Sequence, residues 1–338
     1  MRAALERALT AAWYRPGPPP WVLRPLAWLY ALLSGLITLP WRLGWRQPWR
    51  APCPVLVVGN LVAGGAGKTP TTIALVQALQ AAGRRPGVVS RGHGRRSKGT
   101  LVASTNHDAS DLGDEPWLIR RHTGAPLAVG TRRAQAAQSL LQAFPDIDVL
   151  VADDGLQHRA LGRDLELWVF DERGVGNGAL IPAGPLRQPL PARVPEQALV
   201  LYNAAAPTTP LPGALAQRAL SGAVPLAAWH TCAPMDPLTL QALRGRPLLA
   251  IAGIAAPQRF FSMLAEVGLT FTPLPLPDHA DLSTPPWPAA TADVLCTEKD
   301  AAKLDPASLG ATRVWVVGLD FRLPSALVAT VLQRLLQK

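Results

Sequence analysis

The sequence predicts an α/β protein with a P-loop parallel-sheet domain, a second, smaller α/β domain and an N-terminal membrane-associated helix. Three observations carry this. Strand-like apolar runs alternate with helical patterns along most of the chain, which is the signature of a parallel sheet covered on both faces. The glycine-rich run Gly64-Gly65-Ala66-Gly67-Lys68-Thr69-Pro70 stands between the first such strand and the first such helix. Six of the eleven tryptophans fall within the first fifty residues, around an uncharged stretch.

Residues 1–50 form the expected membrane segment. They hold seven arginines (Arg2, Arg7, Arg15, Arg24, Arg42, Arg46 and Arg50) against Glu6, so six of the net +10 charges are local to this stretch. The uncharged run from Pro25 to Trp41 is 17 residues long. As a helix it spans about 26 Å at ~1.5 Å per residue, short of a ~30 Å hydrocarbon core. Arginine and tryptophan on its flanks suit a lipid headgroup layer. The reading favours a helix lying in the interface, with a single span and a buried helix as alternatives. Tryptophan interleaved with arginine around apolar sequence suits lipid better than a nucleic-acid groove, so no nucleic-acid partner is expected. Cys53, Cys232 and Cys296 are widely separated and show no paired spacing, which argues against a zinc site or a disulfide framework and for a reducing compartment.

Residues 51–195 form the expected P-loop domain. Strands are predicted at Val55 to Val58, Gly87 to Val89, Leu127 to Val129, Ile147 to Ala152 and Leu165 to Phe170, and helices at Thr69 to Ala82, Glu115 to His122 and Arg132 to Phe144. In the glycine-rich loop the backbone wraps phosphates without side-chain clashes, the helix N-terminus offers free amides, Lys68 reaches the β and γ oxygens, and the Thr69 hydroxyl takes a Mg²⁺ position. Val62 stands where the fullest form of the motif has glycine. Lysine is scarce, five of 33 basic residues, so its presence at 68 is not a compositional default. Asp153 and Asp154 end an apolar strand, as a carboxylate pair serving Mg²⁺ opposite such a loop does.

Other polar motifs remain open on spacing alone. The basic loop from Ser90 to Lys98, with Arg91, either grips an anionic substrate or is a solvated arginine-rich turn. Asp114 in Gly113-Asp114-Glu115-Pro116 reads as an ordinary helix N-cap. The Gly- and Pro-dense stretch from Gly174 to Pro195 reads as a hinge or active-site loop. Residues 196–338 form the expected second domain, after a Pro-rich linker at 207–212, with strands at Leu248 to Ile251, Val294 to Thr297 and Val314 to Val317 and helices at Pro257 to Val267, from Asp300, and at Ser325 to Leu336. His279 sits in one of its loops beside Asp278, where a carboxylate makes an imidazole a candidate base. The run Thr297-Glu298-Lys299-Asp300-Ala301-Ala302-Lys303 reads as a charged helix start stabilised by its own ion pairs.

As an ordered set, these pieces resemble the tetraacyldisaccharide 4'-kinases. The resemblance rests on Gly64-Gly65-x-Gly67-Lys68-Thr69-Pro70, Ser90-Arg91-Gly92-His93-Gly94, Gly113-Asp114-Glu115-Pro116, Asp153-Asp154-Gly155-Leu156-Gln157-His158, Gly176-Asn177-Gly178, Pro182-Ala183-Gly184-Pro185-Leu186-Arg187, Pro277-Asp278-His279 and Thr297-Glu298-Lys299-Asp300. It implies transfer of the ATP γ-phosphate to the 4'-hydroxyl of a tetraacyldisaccharide 1-phosphate, with ATP and Mg²⁺, at the cytoplasmic side of the inner membrane. It also implies that Asp114 works with His279 on the sugar hydroxyl, that Asp153 and Asp154 serve the metal, and that Arg91, Glu115, His158, Asn177 and Arg187 support substrate or site. His93 stands where the family commonly has an aromatic residue. The alternative is a membrane-associated P-loop switch ATPase or GTPase. Such ATPases usually carry lysine just before the first loop glycine, where this chain has Ala63, and no Asn-Lys-x-Asp guanine motif is present.

Overall fold

The computed structural model describes residues 9–15 and 17–336. Arg2, Glu6 and Arg7 of the basic segment lie outside the described residues. The chain builds two sheets. The first comprises β1 (Val55–Gly59), β2 (Pro86–Ser90), β3 (Leu101–Val102), β4 (Leu127–Val129), β5 (Val149–Asp153), β6 (Leu165–Asp171), β7 (Ala198–Asn203) and β8 (Ala214–Leu215). Their order is β3-β4-β2-β5-β1-β6-β7-β8, and every pairing is parallel except β3 with β4.

Strand β1 reads Val-Leu-Val-Val-Gly and is buried at every position, as a central strand covered on both faces must be. Its neighbours are β5 and β6, so its C-terminal end opens at the middle of the sheet edge where α/β folds bind ligands. Helix α1 (Arg24–Arg42) precedes it, and the helices α2 (Lys68–Ala81), α3 (Ala109–Leu112), α4 (Asp114–Thr123) and α5 (Arg133–Ala143) lie between strands of this sheet. Leu75, Val76 and Leu79 of α2 pack with Leu56, Val58, Val149 and Val151. Burial of such side chains contributes about 1.5–3 kcal/mol each.

The second sheet comprises β9 (Gln217–Pro225), β10 (Leu248–Ala252), β11 (Phe271–Pro275), β12 (Asp293–Thr297) and β13 (Arg313–Arg322), in the order β11-β10-β12-β13-β9. It carries α6 (Leu226–His230), α7 (Pro237–Ala242), α8 (Pro257–Glu266) and α9 (Glu298–Ala301). Strand β9 is antiparallel to β13 from Gln217↔Arg322 to Trp315↔Pro225. The chain leaves the first sheet through β9 and returns through β13. The last helix, α10 (Ser325–Leu336), then packs Leu327, Val331 and Leu335 into the apolar cluster around β1 and α2.

This arrangement departs from the boundary expected at 195/196. Strand β7 pairs with β6 from Glu166↔Ala198 to Asp171↔Asn203, so residues beyond 196 continue the first sheet, and the final helix returns to it. The Pro-rich run read as a linker is a loop between two adjacent parallel strands. It is fastened by the Tyr202 hydroxyl, which donates to the Leu211 carbonyl at 2.6 Å.

Helix α1 is a 19-residue helix with Pro25 in its first turn, where the missing amide costs nothing, and Pro40 near its end. Of its residues only Ala27 is buried, and Trp28, Leu29, Leu32, Leu36 and Ile37 face outward. With the turn before it, the helix is long and apolar enough to cross a membrane, by length and composition.

Candidate active site

The loop after β1 turns its carbonyls toward the protein. Asn60, fully buried, donates to the Gly64 carbonyl at 2.9 Å, Arg173 donates to that of Gly65 at 2.6 Å, and Asn203 at the end of β7 donates to that of Ala66 at 3.2 Å. Peptide units are planar and trans, so the amides of the same units face the opposite way, toward the opening. Gly67 caps α2 with φ 86°, and a Cβ there would collide with the Asn203 side chain, so two requirements fix glycine at this position. Arg173 is itself held by Asp171, donating at 2.7 and 3.0 Å. Neither Asn203 nor Arg173 belongs to a motif seen in the sequence, since each acts from a strand end distant in the chain.

Lys68 begins α2 and donates to Asn60 Oδ1 at 3.1 Å, and its Nζ lies 3.6 Å from Asp154 Oδ1. Asp154 adopts φ 49° at the end of β5 and also lies 3.5 Å from Arg187. Burial raises the Asp154 carboxyl, but the charges of Lys68, Arg187 and Arg133 outweigh it and hold it below the ordinary carboxylate value. Asp153 is buried and accepts from the hydroxyls of Thr72 at 3.1 Å and Ser90 at 3.0 Å. Burial, with the charges of Glu115 and Asp154, pushes its carboxyl up to about 6.

On the facing side, Asp114 is the first residue of α4. Gly113 is the N-cap and no side chain caps it, so the expected N-cap role of Asp114 is not found. Gly113 has φ 90° and packs against the His93 carbonyl, a position only glycine fills, which shifts Asp114 into the helix. Asp114 Oδ2 lies 3.5 Å from Nδ1 of His279 and 3.2 Å from Nζ of Lys303. Burial raises this carboxyl, but the His279 hydrogen bond and the lysine charges of 303 and 299 outweigh it and hold it below the ordinary value. His279 sits in a left-handed conformation, φ 59°, with the His93 ring 5.0 Å away. Glu115 Oε1 accepts from Lys299 at 3.1 Å, and Lys299 also reaches Asp278 at 3.0 Å. The lysines of segment 297–303 therefore pair across to α4 and to Asp278; the self-paired helix start expected for this run is not what forms, because α9 has only four residues.

A cavity of about 350 Å³ joins the two sides. Gly65, Gly67, Lys68, Thr69 and Pro70 line one wall, and Glu115, Asp278 and Lys299 line the other. The remaining expected residues divide. Arg187 reaches the site through Asp154 and Gln157, and its carbonyl accepts from the Tyr30 hydroxyl of α1 at 2.8 Å. His158 is lowered to about 4 by burial and by the Arg133 charge, so it is neutral near pH 7. Asn177 braces its own loop, donating to the Ala183 carbonyl at 2.9 Å and accepting from the Ala179 amide at 3.1 Å. Arg91 is exposed, and Arg95 from the same loop turns back onto backbone carbonyls of Val129 and Gly99.

A family model described as tetraacyldisaccharide-1-P 4'-kinase matches residues 19–336. The tetraacyldisaccharide 4'-kinase of Methylibium petroleiphilum is 54% identical over 325 residues, covering 95% of this chain and 91% of that protein. That of Leptothrix cholodnii is 49% identical, covering 99% and 96%. Among solved structures, the LpxK of Aquifex aeolicus in complex with ATP superposes with a TM-score of 0.73 at 24% identity, covering 93% of this chain and 98% of that one, a likeness of fold. A match over nearly the full length, on a chain whose two motif sets meet at one cavity, has one reading: the protein belongs to the tetraacyldisaccharide-1-P 4'-kinase family.

Proposed function

We propose that this chain transfers the γ-phosphate of ATP to the 4'-hydroxyl of a tetraacyldisaccharide 1-phosphate. The observation that carries the reading is the single cavity with Lys68 and Thr69 on one wall and Glu115, Asp278 and Lys299 on the other, beside the Asp114–His279 pair. Phosphoryl transfer asks a protein mainly for positioning and charge neutralisation. Loop amides and Lys68 hold the β and γ phosphates, and Asp114 takes the proton of the attacking hydroxyl while His279, on its Oδ2, orients it. Asp114 stays ionised because His279 and Lys303 hold its carboxyl low.

Thr69, Asp153 and Asp154 suit Mg²⁺ by donor chemistry, since it takes hard oxygen ligands. Burial, with the charges of Glu115 and Asp154, raises the Asp153 carboxyl, and a cation beside it would relieve the charge part of that cost. Held by these oxygens, Mg²⁺ would supply charge neutralisation for the transferring group.

The acceptor is a lipid, and α1 presents an unburied apolar face with exposed Trp21, Trp28 and Trp45. We place this face in the headgroup layer of the inner membrane on its cytoplasmic side, with Arg24, Arg42, Arg46 and Arg50 toward anionic lipid. The Tyr30 hydroxyl on the Arg187 carbonyl fixes the helix relative to the cavity. We further propose that residues of the second sheet form a lobe closing over ATP. Transfer of label from γ-labelled ATP to detergent-dispersed tetraacyldisaccharide 1-phosphate tests the reading; ATP hydrolysis without labelled lipid contradicts it.

A further inference from the structure

The segment 297–303 lies along α4 and grips it at both ends. Glu298 Oε1 lies 2.9 Å from His122 Nε2 near the C-terminus of α4, while Lys299 and Lys303 reach Glu115 and Asp114 at its N-terminus. The segment is a rigid base for this grip. Asp300 is fully buried, accepts from the Gly253 amide with both oxygens at 3.1 Å and from the Thr297 hydroxyl at 2.7 Å, and so locks the turn after β12. Each lysine has a second partner in the His279 loop. Lys303 donates to the Ala280 carbonyl at 3.1 Å, and Lys299 donates to Asp278 at 3.0 Å. The residues on either side of His279 are thus tied to the same two ammonium groups that hold the first two residues of α4. Their side chains are only 14% and 13% exposed, and an ammonium is desolvated at such a cost only where partners are fixed.

We infer that Lys299 and Lys303 are positioning residues that hold the His279 loop on the N-terminus of α4 and so set the Asp114–His279 geometry. The inference rests on the reading of this cavity as a phosphoryl-transfer site. A left-handed His279 backbone is disfavoured for a residue with a side chain, so the loop needs such external ties to keep it. A misplacement of about 1 Å at a transfer site costs on the order of 10²-fold in rate.

The test is steady-state kinetics on the full chain with ATP and detergent-dispersed tetraacyldisaccharide 1-phosphate, for Lys303→Gln, Lys303→Arg and Lys299→Gln, each on the wild-type and His279→Ala backgrounds, with Tm measured for every variant. Each Gln variant is expected to lose about 10- to 100-fold in kcat with KM for ATP within about twofold, a loss confined to the chemical step. Lys303→Arg is expected to recover part of it. On the His279→Ala background Lys299→Gln is expected to cost less than about twofold, because the group it positions is gone, and Lys303→Gln clearly less than on the wild-type background, because only its hold on Asp114 remains. Undiminished kcat in both Gln variants, or equal losses on the two backgrounds, overturns the inference while leaving the kinase reading intact. Absence of label transfer by the wild type overturns that reading and the inference with it.

Discussion

His279 Nδ1 lies 3.5 Å from Asp114 Oδ2, although the histidine follows the second sheet's β11 and the aspartate opens a helix packed on the first. Neither residue alone is more than a loop imidazole or a helix-end carboxylate. Together, beside the cavity lined by Lys68 and Thr69, they form the pair to which the proposed function gives the proton of the attacking hydroxyl.

Replacing Lys68 with Ala is expected to reduce transfer by at least about 100-fold and to weaken ATP binding, since a charge aimed at developing negative charge is lost. Lys68→Arg is not expected to rescue it, because a planar guanidinium does not fit where the ammonium meets Asn60 and Asp154. Nucleotide titration followed by single-turnover transfer separates the two effects.

Asp153→Asn is expected to stabilise the ligand-free protein while abolishing turnover. The native carboxyl keeps its proton up to about pH 6, against 3.8 unfolded, so the native state binds more protons between these values. Stability from this group is full below the unfolded value and is lost as pH rises through about 6. At pH 8 the ionised, buried carboxylate costs about 1–3 kcal/mol, which the amide avoids. Thermal melts at pH 3.5, pH 5 and pH 8 read this: the Asn variant gains most on wild type at pH 8, about half as much at pH 5 and little at pH 3.5.

A charge on the outer face of α1 is expected to release the protein from lipid without unfolding it. Ile37 is 71% exposed and Trp28 72% exposed, so Ile37→Asp or Trp28→Asp removes no core contact. Flotation with anionic vesicles should show binding reduced about tenfold or more, with Tm unchanged, as loss of one apolar side chain from the proposed lipid-binding face would require. Retention of wild-type flotation by both variants would show that another surface binds lipid.

Tyr30→Phe is expected to lower turnover on dispersed lipid by a fewfold and leave basal ATP affinity unchanged. The hydroxyl is the tie between α1 and the Arg187 backbone, and a net hydrogen bond contributes about 0.5–1.5 kcal/mol. Kinetics at varied lipid and fixed ATP distinguish this from a general loss of stability.

The fold was largely legible where local pattern decides it. Val55 to Val58, Leu127 to Val129 and the helix opening at Lys68 form close to where composition and glycine placement put them, because a buried parallel strand and a glycine-capped helix are encoded locally. The sheet to which a segment belongs is not encoded locally. Ala198–Asn203 joins β6, and Ser325–Leu336 returns to the first sheet, through contacts made only when distant chain is in place. The site divides the same way. Lys68 and the Asp153-Asp154 pair announce themselves by spacing, whereas Asn203 and Arg173 support the loop from strand ends that carry no motif. Lys299 and Lys303 are two of the chain's five lysines, but their partners on α4 are not legible in a segment whose charges also pair plausibly with one another.

The role proposed for the Asp114–His279 pair is to serve transfer to a lipid sugar hydroxyl. Its most direct test is label transfer from γ-labelled ATP to detergent-dispersed tetraacyldisaccharide 1-phosphate by wild type, Asp114→Ala and His279→Ala. Labelled lipid is expected with wild type, and a loss of about 10²- to 10⁴-fold in both variants, with ATP binding retained. Labelled lipid at near wild-type rate from either variant, or ATP consumed by the wild type with none of the label in lipid, contradicts it.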